Sequence, residues 1–314
     1  MTTTLSPPRA MPEAEARVRQ SLTERLAPYA YIAPFFLLFA VFGLVPLLFT
    51  FYIALFDWNP IGEHVFIGFD NFTRLLGDTR FWNAAWNTIS IWLLSTVPQL
   101  LLALGLAHLL NHARLRSAVF FRMSMVVPYI TSVAATTIVF AQMFDRDYGL
   151  LNWLLGLIGA GPIDFLQSGW GSHAMIAVMV TWRWFGYTTL LYLAALQAVP
   201  RTIYEAAAVD GAGTWKQFRH ISIPSLRPVI VFTVVTSTIG GLQIFTEPLL
   251  VSRSAPLTCG PVRQCQTLTL FLYEQGFGQF QFGYGAAIGV ALFVLIIAIA
   301  ALNYVLSARI RPER

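Results

Sequence analysis

Apolar residues along the chain gather into six long runs separated by shorter polar stretches. The runs cover roughly Tyr29–Phe56, Trp86–Leu109, Ala118–Phe144, Ala174–Leu196, Val229–Val251 and Tyr284–Leu306. Each matches or exceeds the ~20 residues that a helix needs to cross the hydrocarbon core of a bilayer. None alternates with the period of two that marks a membrane strand, so each predicts a helix. A helix satisfies its own backbone amides, which lipid cannot do. Pro34, Pro46 and Pro98 fall inside the first two runs, where neighbouring helices can take up the freed carbonyls. The pattern predicts an all-α integral membrane protein with six transmembrane helices. An N-terminal arm (1–28) precedes the six-helix domain (29–307), and a short tail (308–314) follows it. The first run is too long for the core of a cleaved signal peptide, so none is expected.

Composition agrees. Of 314 residues, 56% are hydrophobic and 11% charged, against roughly 25% charged in a soluble domain. Most of the surface therefore meets membrane lipid. The net charge is +5, and Lys216 is the only lysine. If the N-terminus is cytoplasmic, the inner segments hold Arg9, Arg17, Arg19, Arg25, Arg114, Arg116, Arg122, Arg201, Lys216, Arg219, Arg227, Arg309, Arg311 and Arg314. The outer segments hold only Arg74, Arg80, Arg146, Arg253 and Arg263. That bias fits the positive-inside rule. It places both termini, and the polar insert between the fourth and fifth runs, in the cytoplasm. Basic residues at run ends, rather than along a groove, also argue against a nucleic-acid partner.

The insert at 200–224 is the most structured-looking polar stretch. Pro200 can open a helix, because its missing N–H would be unpaired there anyway. Tyr204-Glu205-Ala206-Ala207-Ala208 is strongly helix-forming, and Asp210-Gly211 reads as a turn. Thr214 can cap a second short helix, Trp215–His220, before Pro224. A tight connection needs only a few residues. Two short helices at an angle instead make a compact knob, whose alanines let a partner backbone approach and whose Glu205 offers a charge.

The spacing of this insert resembles the EAA motif of permeases from ATP-binding-cassette (ABC) importers: EAA, three residues, Gly, nine residues, Ile-x-Leu-Pro. Glu205, Ala206, Ala207, Gly211, Ile221 and Pro224 match in register, and Ile223 replaces Leu. The resemblance is nearest to the carbohydrate-uptake, maltose-type branch. It extends to Phe66-Ile67-Gly68-Phe69-Asp70-Asn71-Phe72, Phe81-Trp82-Asn83, Asn87-Thr88, Tyr148-Gly149-Leu150-Leu151-Asn152, Leu193–Pro200 and Gly283-Tyr284-Gly285-Ala286-Ala287. It implies the type I importer permease fold in a bacterial inner membrane, with the insert as a coupling helix in a cleft of an ATPase subunit. Glu205 would be the charged contact, Ala206, Ala207 and Gly211 would permit close docking, and Asp210 would stand at the turn. The implied partners are a second homologous permease, two ATPase subunits that carry ATP and Mg, and an extracytoplasmic sugar-binding protein. One departure is Thr258-Cys259-Gly260-Pro261 after the fifth run, preceded by extra residues 252–256, where the family often carries Thr-Gly-Gly-Pro.

The chain has no nucleotide site of its own by the usual device. Gly211-Ala212-Gly213-Thr214-Trp215-Lys216 lacks the spacing of a phosphate-binding loop, and no other lysine exists to build one. No cofactor is expected on this chain. His108 and His112 share a helix face but lack a third ligand, so no metal is expected either. With Arg114 they are too sparse for an enzyme site. An ion-coupled transporter would favour intramembrane carboxylates, and only Glu247 comes close.

Candidate contacts for a sugar are Trp182, Arg183, Trp184 and Tyr187 in the fourth run, Gln142 in the third, and Gln243 and Glu247 in the fifth. Arg183 costs on the order of 3 kcal/mol inside a bilayer, so it faces either a polar cavity or a partner on a neighbouring helix. Trp92 and Trp153 read as interfacial anchors. Cys259 and Cys265 lie in the last outer loop, where a small disulfide ring or two free thiols are equally compatible with the spacing. The stretch Gln266–Phe277 resembles permeases for cellobiose-like oligosaccharides, with glycerol phosphate or another polyol as the alternative substrate.

Overall fold

The computed structural model describes residues 22–60, 62, 64–112, 118–252 and 254–309. Most of the N-terminal arm, Arg114, Arg116, Arg253 and residues 310–314 lie outside the described residues, as does the side chain of His112. The chain divides into two units, one ending at Phe49 and one beginning at Thr50.

The first unit is helical from Leu22, seven residues before the apolar run begins. Helix α1 (Leu22–Phe39) leads through a π-helical turn, Ala40–Leu44, into α2 (Val45–Ile53). The turn lies just before Pro46, which denies the Phe42 carbonyl its usual donor, and a π turn is one way to absorb that loss. Phe35 and Phe42 point outward with 67% and 75% of their surface exposed, as a lipid-facing helix requires.

In the second unit the chain departs from a purely α-helical reading. The first run was expected to stay helical through Phe56. Instead α2 stops at Ile53, and an antiparallel ribbon follows, β1 (Phe56–Trp58) against β2 (His64–Phe66). The Asn71 amide donates to the carbonyls of Ala54 and Phe56 at 2.9 Å, capturing groups that the helix end leaves open. Helix α3 (Asp70–Gly77) then leads into α4 (Thr79–His112), which at 34 residues spans about 51 Å.

The third run is not one straight helix. It breaks into α5 (Ala118–Ile130) and α6 (Val133–Met143), bent by 93°. Pro128 removes one ladder bond, and the Thr131 hydroxyl bonds back to the Val127 carbonyl at 2.7 Å, a local alternative to continuing the helix. After α7 (Leu150–Leu157) comes α8 (Gly169–Gln197), 29 residues long. Two short helices, α9 (Arg201–Val209) and α10 (Thr214–Gln217), form the knob. A second π turn, Phe218–Ser222, precedes Pro224 as the first precedes Pro46.

The fifth run is broken too. Helix α11 (Ile223–Leu242) ends at Gln243, and a separate α12 (Thr246–Val251) follows. The break persists because its carbonyls find partners: Thr267 and Thr269 both donate to the Ile244 carbonyl. Helix α13 (Leu268–Tyr273), a third π turn and α14 (Phe282–Arg309) complete the chain.

Four helices among the described residues are long and apolar enough to cross a membrane, or five where the bent α5–α6 pair counts as one span. Helix α8 is long enough but less apolar. It is the buried centre of the bundle, with Ser172, His173, Arg183, Thr188 and Thr189 all inward. A helix that meets protein on most sides need not be as apolar as one that meets lipid. Apolar cores gather along it, one near its C-terminal end with α4 and α11 around Tyr192 and Leu226, the other near its N-terminal end with α6 and the residues near 244–270.

Candidate functional site

The helices enclose a cavity of about 360 Å³. Helix α4 supplies Thr96 and Gln99, α5 supplies Tyr129, and the α11–α12 break supplies Gln243 through Glu247. Helix α8 presents Val180, Arg183, Trp184, Tyr187 and Thr188; α11 presents Thr233, Thr236, Ser237, Gly240 and Gly241. Both sets fall at i, i+3, i+4, i+7 and i+8, so each is one helical face. The walls carry hydroxyls and amides beside aromatic rings. Gln99 donates to Thr188 at 3.0 Å, joining α4 to α8. Tyr129 stacks on Tyr187 at 4.7 Å and meets Trp184 edge-on at 5.2 Å.

Arg183 and Glu247 face one another across the cavity wall, with Nη1 to Oε1 at 3.6 Å. Both residues are more than nine-tenths buried. The Arg183 Nε has no hydrogen-bond partner among the described residues. Of the seven candidate contacts, five therefore line the cavity: Arg183, Trp184, Tyr187, Gln243 and Glu247. Trp182 does not. One residue before Arg183, it turns to another face of α8 and lines an apolar groove with Leu94, Leu101 and Phe185. Gln142 is exposed in the last turn of α6, beyond the cavity. Sequence reasoning missed Thr96, Gln99, Tyr129, Thr188, Thr236 and Ser237. The helical spacing of the α11 hydroxyls was the available signal.

The knob lies past the far end of α4. Gly211 takes a φ of +78°, a conformation that disfavours any side chain, and so closes the turn between α9 and α10. Pro200 and Gly213 sit at the cap positions, so neither Pro200 nor Thr214 takes the place expected of it. Glu205, Ala206, Asp210, Gly211 and Pro224 are exposed, while Ala207 and Ile221 are half-buried. Val209 and Trp215 add apolar surface that is 88% and 71% exposed. Beneath this surface the Ser222 hydroxyl meets Tyr204 Oη at 3.1 Å and His108 Nδ1 at 3.0 Å. The knob is thereby tied to the end of α4.

The opposite end of α4 meets the loop that carries the cysteines. Cys259 and Cys265 are joined in a disulfide, with a Cα separation of 5.2 Å. Asn83 and Asn87 both donate to the Arg263 carbonyl at 2.9 Å, and His173 approaches the Gln264 carbonyl at 2.7 Å. Among the described residues no cluster of His, Cys, Asp or Glu could hold a metal.

The chain belongs to the family of binding-protein-dependent transport system inner membrane components, whose profile matches residues 91–312. It is 37% identical to the lactose transport system permease LacF of Rhizobium radiobacter over 279 residues, covering 88% of this chain and 91% of that one. It is 34% identical to the arabinooligosaccharides transport system permease AraP of Bacillus subtilis over 293 residues, covering 93% and 91%. Its fold matches a chain of a bacterial ABC transporter for the import of alginate, with a TM-score of 0.77 and 21% identity, over 92% of this chain and 98% of that one. The chain is thus a multi-pass membrane protein of the inner-membrane permease family.

Proposed function

We propose that the chain is one of two permease subunits of an ATP-driven importer for a di- or oligosaccharide. The observation that carries this reading is the cavity: hydrogen-bonding groups and stacked aromatic rings, enclosed by helices whose outer faces suit lipid. Family membership supports it, as do the lactose and arabinooligosaccharide relatives. A sugar offers hydroxyls to Gln99, Thr188, Ser237 and Gln243, and a ring face to Tyr129, Trp184 and Tyr187.

The chain crosses the membrane six times, with α8 and the two broken helices each making one crossing and both termini in the cytoplasm. An extracytoplasmic binding protein delivers sugar at the disulfide end. In support, a bacterial alginate transporter of the same fold has been solved in complex with its periplasmic protein, which holds an alginate pentasaccharide. The knob, residues 200–224, docks in a cleft of an ATPase subunit, with Glu205 and Asp210 as charged contacts and Val209 and Trp215 as apolar anchors. Two such subunits bind ATP and Mg. Their closure pulls the knob, and the tie through Ser222 carries the pull to α4. The cavity then opens alternately to either side.

The test is sugar uptake into vesicles that hold the complete complex. Uptake persists when ion gradients are collapsed at constant ATP, and stops when ATP is removed under an intact gradient. The opposite pattern means an ion-coupled carrier and overturns the proposal.

A further inference from the structure

We propose that Glu247 is the specificity-determining residue of the cavity: it cancels the charge of Arg183, so that the site takes neutral sugars and turns away anionic ones. The inference rests on reading the cavity as the sugar site. Among the described residues, Arg183 and Glu247 are the only basic and acidic side chains lining it. They come from different elements, α8 and α12, and one basic group is matched by one acidic group.

The geometry of the pair separates it from a structural ion pair. The other two ion pairs among the described residues close into two-point hydrogen-bonded contacts. Arg80 meets Asp78 at 3.0 and 2.8 Å, and Arg263 meets Glu274 at 2.5 and 2.8 Å. Arg183 and Glu247 stay 3.6 Å apart, close enough to attract but too far to hydrogen-bond. The guanidinium keeps an unpartnered Nε in a buried setting. Buried charged groups are normally hydrogen-bonded, and leaving them unmade is costly. Here donor and acceptor stand side by side, and the guanidinium has a donor left over.

A sugar hydroxyl fits that arrangement. Its oxygen accepts from the guanidinium while its proton is donated to the carboxylate, and a neighbouring hydroxyl repeats the pattern. A uronate or a sugar phosphate fits poorly. Its anion gains Arg183 but stands within about 4 Å of Glu247 in a poorly screened site. Such a repulsive element is how a binding site rejects the wrong partner.

The experiment uses the whole transporter, both permeases with both ATPase subunits, in lipid nanodiscs and without the binding protein. Cellobiose and cellobiouronic acid are titrated by calorimetry. The wild-type protein is expected to bind cellobiose more tightly than the uronate by about tenfold or more. In Glu247→Gln the uncovered Arg183 is expected to reverse that order, raising uronate affinity about tenfold. Glu247→Asp keeps the wild-type order. Where Glu247→Gln does not assemble, Gln243→Arg, at an exposed position on the same wall, adds the surplus cation and carries the same expectation. Equal wild-type binding of both sugars, or an order unchanged by the surplus cation, overturns charge selection alone. Binding of neither sugar by the wild-type protein overturns the reading of the cavity itself, and the inference with it.

Discussion

Gly186 shows how much one missing side chain can decide. A Cβ there would stand 2.1 Å from the Met125 carbonyl oxygen, because α5 crosses α8 with backbone against backbone. Small residues at such crossings let membrane helices approach closely. The approach also sets Tyr129 of α5 over Tyr187 and Trp184, closing one wall of the cavity. No rotamer relieves a clash with backbone, so Gly186→Val is expected to cost about 2–3 kcal/mol. The expected result is a lower melting temperature in detergent together with weaker sugar binding. Unchanged melting and binding would show that the crossing tolerates bulk. Other residues of the site differ in how far the sequence exposes them. Arg183 stands out because a cation in an apolar run is expensive and needs a reason. Thr236 does not, because its hydroxyl bonds the Phe232 carbonyl one turn back at 2.9 Å and is cheap anywhere in a membrane helix. Only the register it shares with Thr233, Ser237, Gly240 and Gly241 betrays a face.

Among the elements, the knob was the most legible and the broken helices the least. The knob announces itself through polar residues, a helix former run and Asp210-Gly211 between two apolar stretches. The breaks at Thr131 and Gln243 do not, since apolar runs look the same whether one helix or two fill them. Whether a helix breaks depends on where its freed carbonyls go, and the donors at the second break, Thr267 and Thr269, lie more than 20 residues away. The tie under the knob was likewise hidden, because it joins Tyr204, Ser222 and His108 from three elements. If that tie transmits motion, Ser222→Ala removes the bridging hydroxyl and leaves the knob folded on its own turn. Gln217 still donates to the Ala212 carbonyl at 3.0 Å and holds the turn closed. The complex should assemble and hydrolyse ATP, while sugar moved per ATP falls about fivefold or more, the size of a modest coupling energy. Reconstituted vesicles assayed for uptake and hydrolysis together give that ratio. A ratio equal to that of the wild-type protein would reduce the tie to packing.

For the molecule as a whole, the end that bears the disulfide is a cap tied together by two carboxylates. Asp78, just ahead of α4, accepts from Arg80 and from Tyr284 of α14, the latter at 2.9 Å. Glu274, beyond α13, accepts from Arg263 and from Gln266. Burial raises the Asp78 pKa, but hydrogen bonds from Arg80 and Tyr284 and the Arg80 charge more than offset that and bring it to about 2. Glu274 is lowered as well: burial again pushes upward, and bonds from Arg263 and Gln266 outweigh it. Both folded-state values lie below those of the unfolded chain, near 4. Stability from these contacts is therefore complete above about pH 4 and lost as pH falls toward about 2, because the unfolded state then binds more protons. Neutral and mildly alkaline conditions leave it untouched. Asp78→Asn keeps the shape and removes the charge, so it should melt lower than wild type at neutral pH. The gap between the two should narrow as the pH drops below about 4. Melting curves in detergent, taken from neutral pH down to about pH 3, read the gap directly. A gap that stays constant over that range would assign the cap's stability to packing around Tyr284 and Phe271, not to the ionised carboxylate.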